Sequence, residues 1–105
     1  MNYYQNVQDA NESRKKRIIS YCEHIDTITK NQMSVLVHKL VERRKSLDMS
    51  QQDVAEATGM AAPNIARIES CKRIPTMQVL AKYADAVGMK LEIDVVSVSE
   101  EDNKD

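Results

Sequence analysis

Apolar side chains return along most of this chain every three or four residues, the spacing of a helix buried along one side. Over residues 11–30, Ile18, Cys22, Ile25 and Ile28 do so and predict an amphipathic helix, preceded by a polar, unpatterned and mobile stretch over residues 1–10. Between residues 32 and 47, Leu36, Leu40, Arg44 and Leu47 share a face, with Val37 and Val41 beside them, and predict a second helix. Residues 50–73 read as two short helices around a tight turn. Ser50, with Asp53 three residues on, opens the first of them near the capping-box pattern. Gly59 closes it, because glycine enters the left-handed conformation without strain, and Met60 plugs the turn. Pro63 fits the first turn of the next helix, where its missing N–H has no intrahelical partner, and Ile65 and Ile68 mark the buried side. Ala62, Asn64 and Arg67 are left facing outward.

Thr76 caps a further helix whose Met77, Leu80, Ala84 and Val87 form a core stripe, and Gly88 ends it. The period then changes. Over residues 90–98 Leu91, Ile93 and Val95 alternate with Glu92 and Asp94, the mark of a half-buried strand. No other segment reads as a strand, so its backbone groups need a partner from elsewhere, most simply the same strand of a second copy. That predicts a two-fold homodimer.

At 105 residues the chain has room for one small core, near the size where oligomerisation commonly helps. The net charge of −1 argues against a nucleic-acid binder until it is divided: residues 1–33 carry +1, residues 34–89 carry +2 and residues 90–105 carry −4. With no Trp or Phe there is little for single-stranded bases to stack on, which leaves duplex DNA as the better target. Cys22 and Cys71, far apart and without an apolar leader, point to a reducing cytoplasm and no disulfide. No apolar run is long enough to span a membrane. Neither cysteine forms a metal-ligand spacing with His24 or His38, and phosphate-loop, zinc-hydrolase and acyl-transfer signatures are missing. No enzyme, metal or cofactor is expected.

Ser50, Gln51, Ala55, Gly59, Ile65, Ile68 and Glu69, with Arg44 ahead of them and Lys72, Arg73 and Pro75 behind, resemble the pattern of the XRE family, the Cro and lambda-repressor class of helix-turn-helix proteins. The resemblance covers roughly residues 36–95. It implies an all-α, lambda-repressor-like DNA-binding domain, here with an extra N-terminal helix and one C-terminal β-strand pairing across a dimer. The expected organisation is a helical extension over residues 1–33, the DNA-binding domain over 34–89, a dimerising strand over 90–98 carrying Leu91, Ile93 and Val95, and a disordered acidic tail over 99–105. The resemblance also implies that Arg44 pairs with Glu69 and clamps the first domain helix to the third. A half-buried guanidinium needs such a carboxylate.

In this class the third helix enters the major groove and the head of the second abuts the phosphate backbone. The implied DNA contacts are Ser50, Gln51 and Gln52 at that head, Ala62, Pro63, Asn64 and Arg67 on the reading helix, and Lys72 and Arg73 on phosphates. Arg67 suits a bidentate contact to guanine, and Asn64 an adenine or a phosphate. Ala62 and Pro63 stand where the family commonly places polar side chains, so the code should be short. Asp48 and Cys71 stand where it prefers glycine; either Cys71 takes the left-handed region at a cost of about 1 kcal/mol or more, or the backbone over residues 70–73, which places Lys72 and Arg73, is altered.

The function expected is a sequence-specific repressor binding an inverted repeat as a homodimer. An alternative is an antitoxin of the HigA or HipB kind, which binds a toxin and represses its own operon. A third is a protein-interaction module with a degenerate DNA-binding motif. The stripe from Ile18 to Ile28 is to be covered by the domain, a twin subunit or a different protein. The basic block Arg14, Lys15, Lys16 and Arg17 is read as a solvated face.

Overall fold

Both glycines and both prolines of the chain fall after residue 58, so nothing in its first half stops a helix. The computed structural model accordingly forms one helix of 44 residues there, α1 (Tyr3–Ser46). The structure describes the backbone of residues 3–98 and the side chains of residues 8–98. Two expectations are corrected. Helix begins at Tyr3, so most of the stretch read as mobile is helical, and no break separates the N-terminal extension from the first domain helix. The polar residues Thr29, Lys30, Asn31 and Gln32 interrupt the apolar stripe without interrupting the backbone, because none of them is a breaker. The hydroxyl of Thr29 donates to the Ile25 carbonyl at 2.8 Å within the same ladder.

α1 ends with Arg43, Arg44 and Lys45 in its last turn, where cations suit the helix dipole. Asp48 takes φ 55°, and the Met49 N–H closes back on the Arg44 carbonyl at 3.1 Å, forming a Schellman motif without glycine. α2 (Gln51–Thr58) follows behind a complete capping box: the Asp53 N–H donates to Ser50 Oγ at 3.0 Å, and the Ser50 N–H donates to Asp53 Oδ2 at 2.8 Å. Gly59, at φ 75°, turns the chain into α3 (Ala62–Glu69), which carries Pro63 in its first turn. α4 (Met77–Ala86) starts on Thr76, whose hydroxyl accepts from the Val79 N–H, and its end is closed by Met89 donating to the Ala84 carbonyl at 2.8 Å.

The core lies between these four helices. Val37 and Leu40 come from α1, Val54 and Ala55 from α2, Ile65 and Ile68 from α3, and Leu80, Tyr83, Ala84 and Val87 from α4 and its end. Only the last turns of α1 take part; its side chains from residue 8 to residue 28 are all exposed, and the molecule extends 68 Å along its longest axis. Leu47 and Met77, both expected in the core, are exposed. Leu47 follows the last residue of α1 and so escapes the helical wheel, and Met77 opens α4 at its solvent end.

The expected strand is likewise absent. Residues 89–98 carry neither helix nor strand, and no strand occurs among the described residues. Leu91 packs against the core, whereas Ile93 and Val95 are exposed, Val95 by 93%. A ladder needs a second strand, and one copy has none to offer. The acidic tail expected over residues 99–105 lies outside the described residues.

Candidate nucleic-acid interface

Ile65 and Ile68 are buried while Pro63, Asn64 and Arg67 are exposed, so α3 lies with one side sealed on the core and the other open to solvent. Ala62 is half-buried against the core. Pro63, Arg67, Lys72 and Arg73 line one open concavity with Ala66 and Ser70. Asn64, Arg67 and Arg73 line a second, whose floor is Met60, Ile68, Pro75 and Val79. Five of the expected contacts are therefore brought onto one surface running from α3 into the turn that follows. Arg67 Nη1 donates to Asn64 Oδ1 at 3.3 Å, a loose bond that holds the two side chains side by side at the solvent face.

That turn depends on Cys71. Its backbone takes φ 58°, the left-handed conformation for which the family pattern has glycine, and its N–H donates to the Ile68 carbonyl at 3.3 Å. Lys72 and Arg73 are exposed directly behind it. The turn geometry is therefore reached with a non-glycine residue, under strain.

The head of α2 differs from expectation in its bonding. The Ser50 N–H is taken by Asp53, so the backbone donors left without an intrahelical partner are those of Gln51 and Gln52. The Gln51 amide turns inward and donates to Glu69 Oε1 at 3.1 Å, which leaves one amide hydrogen for a ligand. Gln52 donates to Glu56 across one helical turn at 3.3 Å.

What fixes α3 in place is the carboxylate at its end. Arg44 grips Glu69 with two parallel bonds, Nε to Oε2 and Nη2 to Oε1, each 3.0 Å. The Tyr83 hydroxyl donates to Oε2 at 2.7 Å, and Arg44 Nη1 reaches on to the Met49 carbonyl at 2.8 Å. One carboxylate thus accepts from α1, α2 and α4 while belonging to α3. Burial pushes the Glu69 carboxyl up, but bonds from Arg44, Tyr83 and Gln51 and the charge of Arg44 outweigh it and hold the group below its ordinary range. Arg44 is raised, chiefly by its bond to Glu69 against the opposing effect of burial. Tyr83 is raised by burial first and by the Glu69 carboxylate second, so its phenol stays protonated as a donor. The Gln51 and Tyr83 contacts were missed in the sequence; a tyrosine on the core stripe of α4 was the available signal. A smaller clamp was missed too: Arg43 Nε donates to the Val87 carbonyl at 3.1 Å and ties α1 to the end of α4.

Among the described residues no group of three His, Cys, Asp or Glu side chains is placed to hold a metal ion, and no helix is long and apolar enough to cross a membrane. Comparison with curated proteins and with solved structures gives no match. A helix-turn-helix family model matches residues 40–93, more than half of the chain, from inside α1 through the outward face of α3 to Ile93. With this match over the segment whose outward face gathers Asn64, Arg67 and Arg73, the chain belongs to the XRE-type helix-turn-helix family of DNA-binding regulators.

Proposed function

We propose that the chain is a sequence-specific repressor that grips duplex DNA as a homodimer. The observation that carries this reading is the open face of α3, where Asn64 and Arg67 stand exposed beside Lys72 and Arg73 on a helix whose other face is sealed. Arg67 reads guanine in the major groove, Asn64 contacts an adjacent base or phosphate, and Pro63 with Ala62 offers only apolar contact to a thymine methyl. Gln51, Gln52 and the free N–H groups at the head of α2, with Lys72 and Arg73, hold phosphates on either side. The exposed residues Ile93 and Val95, with Leu91, become strand when the same segment of a second copy lies alongside, setting two recognition helices about 34 Å apart on an inverted repeat. Such a dimer over a promoter blocks polymerase.

The test is binding to sites selected from random DNA, followed by measurement on the selected and on scrambled sequences. Arg67→Ala is expected to weaken binding at one position of the site by about 1–3 kcal/mol, and Lys72→Ala to weaken binding on every sequence while lowering the salt slope by about one. Equal losses on both DNAs for Arg67→Ala refute the assignment, and no shift of any fragment at low salt favours the protein-interaction reading. The antitoxin reading draws on the exposed apolar residues of α1 as a toxin contact; a co-purifying ribonuclease or kinase would favour it.

A further inference from the structure

Outside the domain, α1 carries a second apolar stripe that the DNA-binding surface does not use. Ile18, Tyr21, Ile25, Ile28, Gln32 and Val35 follow one another at spacings of three, four, three, four and three, the a/d pattern of a coiled-coil seam rather than of a face buried in a globule. The five apolar members are between 39% and 65% exposed. The domain is on the wrong side to cover them. At about 100° per residue, Val35 points roughly 160° away from Val37 and 140° from Leu40, the α1 residues that enter the core.

We infer that this seam is where a second copy of the chain docks, as an antiparallel pair of α1 helices. The spacing reads the same in both directions. Reversed and centred between residues 26 and 27, it sets Ile18 against Val35, Tyr21 against Gln32, and Ile25 against Ile28 of the second copy, so every apolar member is covered and the one polar member meets a phenol. Two such stripes together bury on the order of 1,000 Å², the lower bound for a specific interface. Charge sets the direction. A parallel pair would lay Arg14, Lys15, Lys16 and Arg17 beside the same four cations of the other copy, whereas the antiparallel pair lays them beside residues 36–39, which bring Lys39 alone. Opposed helix dipoles add to the preference. The inference is independent of the DNA reading and of the pairing at residues 90–98.

The experiment is sedimentation of the full chain at tens of micromolar, alongside Ile25→Glu/Ile28→Glu and, separately, Ile93→Glu. The exposed seam residues lie outside the core, so an unchanged melting transition shows that the variant domain is folded. The seam variant is expected to halve the mass of the assembly in the Ile93→Glu background, where the seam is the contact left to hold two copies. A mass unmoved by the seam variant in that background overturns the inference, as does a monomeric Ile93→Glu protein or a monomeric wild type, including one that instead binds anionic lipid vesicles. Direction is read with Thr29→Cys in a Cys71→Gly background under oxidised glutathione. In the antiparallel register the new thiol faces Cys22 of the other copy, and a covalent dimer that disappears with Cys22→Ser is expected. A dimer that stays uncrosslinked overturns the antiparallel pairing.

Discussion

Replacing Glu69 with glutamine removes one charge and almost no volume from the point where all four helices meet. Each carboxylate oxygen accepts two bonds, Oε1 from Arg44 and Gln51 and Oε2 from Arg44 and Tyr83. An amide offers one acceptor oxygen and one NH2 group that only donates, so whichever way it turns, one pair of these donors faces an N–H. The larger effect is on Arg44, whose guanidinium side chain is 11% exposed and loses its counter-charge. Stranding one member of such a pair costs about 3–5 kcal/mol, against a total stability of about 5–15 kcal/mol for a domain of this kind. Urea denaturation followed by circular dichroism should show that loss in Glu69→Gln. Arg44→Met combined with Glu69→Leu, which removes both charges, should recover more than half of it. A loss under about 1 kcal/mol in the single variant, or a double variant as unstable as the sum of the two singles, would refute the idea that this ion pair holds α3 in place.

The same carboxyl sets an acid limit. Its folded value lies below the ordinary 4.5, so its contribution is complete above about pH 4.5 and is lost as pH falls through the folded value; denaturant midpoints of the wild type should drop between pH 5 and 2 more steeply than those of Glu69→Gln. Cys71→Gly should relieve the left-handed strain at φ 58° and raise stability by about 0.5–1 kcal/mol, read as a higher melting temperature. Ser50→Ala opens the capping box and should lower stability by about 1 kcal/mol in the same melt, with the backbone donors of Gln51 and Gln52 still available to DNA.

Local signals carried far in this chain. The caps at Ser50 and Thr76 and the glycine turns at residues 59 and 88 are each set by one or two neighbouring residues, which a sequence displays directly, whereas the positive φ of Cys71 and Asp48 was to be expected only from the glycine that the family pattern has there. Face assignments failed at helix ends: Leu47 and Met77 follow the period but have no core beside them, and Ala62, read as facing outward, is half-buried against the core at the start of α3. The continuity of α1 was visible in the absence of any breaker but was obscured by a change in which face is apolar. The stripe used by the domain and the stripe along the arm lie on different sides of one helix. The inward turn of Gln51 and the reach of Tyr83 to Glu69 join residues 18 and 14 positions apart, and only packing decides them. The terminal segment had the pattern of a strand, but a ladder is a property of two segments.

α1 passes from the domain core into solvent without a joint. A flexible tether would let whatever binds the arm roam through a volume set by its length. A helix rooted by Val37, Leu40 and Arg44 instead fixes the bearing of anything bound there relative to the open face of α3. The arm behaves as a strut, and inserting a single residue between residues 28 and 36 would swing its far end about the axis by roughly 100° while leaving the domain untouched.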